Sequence, residues 1–151
     1  MSNIQNTAIL SMGGLHLAVP QSDIISVDVV ADAKPSQSDS ILCAASLNKQ
    51  NSHWPVYAFT EKLSPLNQLP ESCRFFACMQ FNDVKFALAC DGIELIKLAE
   101  EIQQKNLPHI MQANETPVLK LIKHQQNLVI KSDATSINNY LESLGANNVE
   151  H

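Results

Sequence analysis

With 151 residues, 45% hydrophobic and 17% charged, the chain has the make-up of one ordinary globular domain, or of two small subdomains sharing a core. A formal charge of −5, with no Lys/Arg cluster standing out, argues against nonspecific nucleic-acid binding, which needs a basic face, and against docking on an anionic membrane. No apolar run nears the length of a membrane span and no leader-like segment opens the chain, so the expected location is the cytoplasm.

Residues Met1 to Thr7 are polar and are expected to fray. Ala8, Leu10 and Met12 then alternate with Ile9 and Ser11, and Leu15, Leu17 and Val19 alternate with His16 and Ala18. Gly13-Gly14 between them predicts a hairpin, because a tight turn needs the positive φ that glycine adopts freely. Pro20 ends the second strand, having no N–H to give a ladder. Ile24, Val27 and Val30 resume the apolar pattern.

Residues Ala31 to Ser40 read as an exposed loop rich in Ser, Asp and Pro. Ile41 to Leu47 is short and apolar, and fits either a strand or a turn of helix. Trp54 to Phe59 alternates as a strand with Pro55 near its start. Ser64 to Ser72 holds Pro65 and Pro70 and reads as a loop, where any join between two halves is expected.

RFFACMQF and VKFALAC flank Asn82-Asp83, the clearest hairpin of the second half. Asp91-Gly92 turns the chain into another strand, IELIKL. Residues Leu98 to Lys105 suit a short helix that Pro108 stops. Val118 to Lys123 and Leu128 to Lys131 form a third hairpin. A terminal helix follows, capped by Ser132 or Asp133, with Ile137, Tyr140, Leu141 and Leu144 on its apolar face and a stop expected at Gly145. Residues 146–151 are expected to fray. The fold class is mostly β: small barrels rather than a parallel sheet, with a C-terminal helix.

Nothing in the chain assembles a catalytic set. Its cysteines, Cys43, Cys73, Cys78 and Cys90, lack zinc or redox spacing, and Cys78 and Cys90 sit in apolar strands where core packing accounts for them. His16, His53, His109, His124 and His151 are scattered and show no ligand spacing. No phosphate-cradling glycine loop is present. No cofactor and no metal are expected, and no enzymatic activity.

The order of motifs carries more than any one of them. MGGLHLAVPQSDIISV (Met12 to Val27), NKQNSHWPVYAF (Asn48 to Phe59), FALACDGIELI (Phe86 to Ile96) and the acidic turn KLAEEIQ (Lys97 to Gln103) follow one another as they do in the CheW-like domain family, the coupling proteins of bacterial chemosensory arrays. The chain resembles that family from about Ala8 to Leu144 as a single domain over residues 1–151. The resemblance implies two small β-barrels on a shared core. It implies a non-enzymatic adaptor in a chemotaxis or type IV pilus-type motility complex. Its implied partners are the regulatory domain of a chemotaxis-type histidine kinase and the cytoplasmic tip of a chemoreceptor, whose helix lies in the groove between the barrels. Pro55, Val56, Phe59, Asp91 and Gly92 keep the family pattern. Three charged family positions do not: the glutamate falls on Ser26, the arginine-glycine on Gln50-Asn51, and the aspartate on Ala58. The resemblance carries over Ile24, Val27 and Asn51 as candidate protein contacts. The departures also suit an interaction module on the same fold that binds another partner.

Overall fold

The computed structural model describes residues 4–37, 43–49, 51–99, 120–124 and 127–149. In chain order it holds β1 (Ile4–Met12), β2 (Leu15–Pro20), a single 3-10 turn (Gln21–Asp23), β3 (Ile24–Val29) and the one-turn helix α1 (Val30–Ala33). There follow β4 (Ala45–Lys49), β5 (Ser52–Phe59), β6 (Pro65–Leu66), β7 (Phe75–Phe81), β8 (Val84–Cys90) and β9 (Gly92–Ala99). The last elements are β10 (Lys120–His124), β11 (Asn127–Lys131) and α2 (Ala134–Val149).

Gly13 and Gly14 turn β1 into β2 at φ +55° and +89°, and Met12 pairs with Leu15 across them. The turn is held from outside, since the Gly13 N–H donates to the Asp91 carboxylate at 3.0 Å. Asn82 turns β7 into β8 at φ +53°, as its short amide side chain permits. Both hairpins stand where turn chemistry predicted them.

The eleven strands among the described residues form two curled sheets. One has the order β10-β11-β2-β1-β9; the other has the order β3-β7-β8-β5-β4, with β6 added on β5. The chain enters the second sheet after Pro20 and leaves it after Cys90, so the first sheet is built from the two ends of the sequence. Residues 64–72, where a join was expected, lie within the second sheet's own run of chain. Two pairings are parallel, β11 with β2 and β5 with β8, and nothing local in the sequence signals either.

The sheets share a core. Leu10, Leu17, Met79, Phe86 and Leu88 from both sheets meet Ile137 and Leu141 of α2 there. Alternation then sends the neighbouring residues the other way. Phe76, Cys78, Ala87 and Ala89 fill the inside of the second sheet with Trp54 and Val56, while Ile9, Ala18 and Val129 fill the inside of the first. Strands buried on both faces read as continuous apolar runs, which is the character of FACM and FALAC. On β8 the large side chains face the shared core, and two alanines face the tightly curled interior.

Several boundaries differ from the sequence expectation. Ile4 to Thr7 do not fray but pair with Ala99 to Ile96, because β9 offers a free edge whose hydrogen bonds outweigh their polar character. A short helix, Val30–Ala33, takes the start of the loop expected over Ala31 to Ser40. Of the stretch Ile41 to Leu47 the residues from Ala45 on lie in a strand, while residues 41 and 42 lie outside the described residues. Pro55 lies within β5 opposite Ser46, whose backbone N–H and C=O are engaged with Ser36 on its other side, so the ladder asks no donor of the proline. The helix does not stop at Gly145 but runs to Val149; a glycine weakens a helix by only about 1 kcal/mol. Its start is capped twice: the Ser136 N–H donates to Asp133 at 2.8 Å, and the Ala134 N–H donates to Asp23 of the 3-10 turn at 3.0 Å. The short helix expected near Leu98 lies outside the described residues beyond Ala99, and Leu98 and Ala99 themselves close β9.

Candidate protein-binding surface

β3 is an edge strand of the second sheet, paired on one side only, with β7. A bulge at Ile25 interrupts that pairing, with Ile24 opposite Met79 and Ser26 opposite Cys78. Beyond the bulge the strand alternates cleanly. Ser26 and Asp28 turn toward the inside of the sheet. Ile25, Val27 and Val29 are 55%, 45% and 45% exposed, three β-branched side chains on one short strand. Single exposed apolar residues are ordinary, but a run of them on one edge makes a candidate interaction surface.

The inward side chains form a polar cluster at the mouth of the second sheet. The Lys49 ammonium donates to Asp28 at 2.9 Å and to the Ser26 hydroxyl at 2.7 Å, and lies 3.7 Å from the Cys78 sulfur. It also sits 5.3 Å from the centre of the Trp54 ring, with the Lys85 ammonium at 5.6 Å from the same ring and 2.9 Å from the Ser52 hydroxyl. Burial works against the Lys49 charge, but the hydrogen bond to Asp28, helped by the negative charges nearby, outweighs it and holds the ammonium's pKa above the ordinary value. Burial pushes the Cys78 thiol up, against the Ser26 hydrogen bond and the Lys49 charge that pull it down. A nucleophilic cysteine needs the reverse, so this cluster is suited to holding strands together rather than to attack on a substrate. Among the described residues no group of three or more His, Cys, Asp and Glu side chains is placed to hold a metal ion. His53 is exposed and His16 bonds to Ser11; His109 lies outside the described residues.

The three candidate contacts divide. Val27 is exposed on the edge strand. Ile24 is half-buried and packs against the shared core. Asn51 is exposed at the β4–β5 turn with φ +59°, a left-handed conformation that asparagine tolerates. Lys49, two residues before it, ties that turn to Ser26 and Asp28 on either side of Val27. Val27 and the Asn51 turn therefore border one region, and Ile24 does not join them. Gln50 lies outside the described residues, and Ala58 is buried inside the second sheet. Lys49 and its bridge went unread in the sequence: its partners lie more than twenty positions away, with no local signal to find them. Replacing Asn51 by alanine is expected to lower stability by about 1 kcal/mol, and by glycine to change it by only a few tenths. Urea unfolding midpoints of the two variants check this.

Mostly β, with two curled sheets on a common core and one terminal helix, the architecture is a CheW-like fold. It is similar to the crystal structure of the scaffolding protein TtCheW from Thermoanaerobacter tengcongensis, with a TM-score of 0.66 over 86% of this chain and 89% of that one. The two are 14% identical, so the likeness is one of fold. No family model matches the chain, and no curated protein matches it. Among the described residues no helix is long and apolar enough to cross a membrane.

Proposed function

We propose that this protein is a non-enzymatic adaptor of a bacterial chemosensory or pilus-type motility complex, acting in the cytoplasm and joining a histidine kinase's regulatory domain to a chemoreceptor tip. The observation that supports the reading best is the fold shared with a scaffolding protein over most of both chains. The exposed apolar edge at Ile25, Val27 and Val29 supports it further, since an adaptor works through surfaces of this kind. A second reading rests on Ser26 and Ala58. Where the family carries charge, one of these is engaged by Lys49 and the other is sealed inside the sheet, as suits a module of the same fold with a changed partner.

A calorimetric titration with the kinase regulatory domain from the same organism distinguishes the two. The adaptor reading expects binding near micromolar, about −8 kcal/mol. It also expects Val27→Glu to weaken receptor-tip binding by about tenfold or more while kinase binding and the melting temperature stay put. A folded protein that binds neither partner overturns it in favour of the second reading.

A further inference from the structure

β3 and β4 are the two outer strands of the second sheet, and they are not paired with each other. Between them lies a cleft of about 670 Å³, bordered by Ser26 to Val29, Asp32 and Ala33 on one side and Leu47 to Lys49 on the other. The Lys49 side chain crosses its floor to Ser26 and Asp28; among the described residues no backbone hydrogen bond does. We propose that this cleft takes an extended segment of a partner protein as an added strand, completing the ladder between β3 and β4. The proposal needs neither the kinase nor the receptor of the adaptor reading.

The direction of the backbone groups supports it. The Val30 N–H donates to the backbone carbonyl of Arg74, just before β7, at 2.9 Å. In an antiparallel ladder the inward and outward residues alternate, so Asp28 also turns its N–H and C=O toward β7, while Val27 and Val29 turn theirs outward to the cleft. On the other wall, Ser46 exchanges two 2.9 Å hydrogen bonds with Ser36, which shows which way its backbone faces. Asn48, two residues on, faces the same way, past the point where the chain's own segment leaves the edge. The outer edge of β4 thus already carries one extended residue, Ser36, in the geometry that an added strand would continue. A free edge of this sort is a template for another chain, and strand addition is a recurring way of binding a peptide.

The surroundings narrow the occupant. Val27, Val29 and Ala33 offer apolar contact to the side chains of an added strand, and β-branched side chains suit an extended segment. Asp28 is engaged by Lys49, but Asp32 is exposed and has no cationic partner among the described residues. The occupant is therefore an extended, β-branched segment carrying a basic residue opposite Asp32.

The first test is amide exchange on the isolated full chain. The amides of Val27, Val29 and Asn48 should exchange far faster than those of Asp28 and Ala77. Protection of all three would overturn the proposal, because the edge would already be covered. The second test selects binders from random peptides of about six residues, an ordinary strand length. Selected peptides should be β-branched and basic, should protect those three amides, and should bind Asp32→Ala more weakly. Val29 has φ −81°, which proline accepts, and its N–H points away from β7, so Val29→Pro removes one ladder donor while leaving the existing sheet intact. It should weaken peptide binding by about five- to tenfold, whereas Val29→Ala, which keeps the N–H, should stay within about twofold. Equal binding by Val29→Pro, a loss confined to Val29→Ala, or no selected peptide at all would each overturn strand addition. If Val29→Pro fails to fold, the amide protection pattern decides alone.

Discussion

Replacing Phe86 by alanine is expected to remove about 3–5 kcal/mol of stability, a large share of the roughly 5–15 kcal/mol that holds a domain of this kind together. Phe86 is among the largest fully buried side chains, and it stands where the two sheets meet. Its ring also makes an edge contact with Tyr57, at 6.5 Å between centroids. Truncation there takes apolar surface from both sheets at once, and β-strands held by ladders on either side cannot collapse inward to fill the space. Leucine at the same position keeps most of the volume and should cost well under half as much. Urea unfolding of the two variants checks the order. Equal, small losses would show that the sheets are not coupled through this residue.

Alkaline pH is expected to be the second large lever. Burial pushes the thiols of Cys78 and Cys90 above their ordinary value of 9.0, and it likewise raises the phenols of Tyr57 and Tyr140 above 10.0. In the unfolded chain these groups lose their protons at the ordinary values, while the native protein keeps them. Their contribution is therefore fully present below about pH 9 and is lost as pH rises toward the native values. A thiol that holds its proton in the native state gives a slope that approaches about 1.4 kcal/mol per pH unit above the ordinary value, with the tyrosines adding at higher pH. Unfolding free energies measured from pH 7 to 10.5 should be flat in this respect and then fall. Cys90→Ala should make the fall shallower, because the most deeply buried of these thiols no longer contributes. A profile that stays level past pH 10 would mean that these thiols ionise freely in the native state.

What the sequence made legible was local. Gly13-Gly14 and Asn82-Asp83 announced their hairpins because a two-residue turn demands residues that accept positive φ. Ser132 and Asp133 announced the helix start because either side chain can take an orphan N–H, and Asp133 does so. What stayed hidden depends on partners far along the chain. Ile4 to Thr7 look like a frayed end until β9 is beside them, and β4 is a strand chiefly because β5 folds back on it. The same division holds at the candidate surface. Val27 and Asn51 could be placed by motif order, and both came to the region that Lys49 ties together. Ile24 shares the motif of Val27 but packs against the core, on the far side of a bulge that no residue type gives away.

The first sheet pairs Leu17 with Ile130 and Ile9 with Glu94, strands drawn from opposite ends of the chain. During synthesis the β1–β2 hairpin is therefore among the first pieces made and the last to be completed. Until β9 and β11 have emerged, both of its edges stand open and its apolar residues, Leu10 and Leu17 among them, face water. The second sheet, drawn from one unbroken run of chain, has no such wait. Loop closure across so long a separation must come before its contacts can contribute, which makes this half of the molecule the slow half to fold and the one most exposed to mispairing on the way.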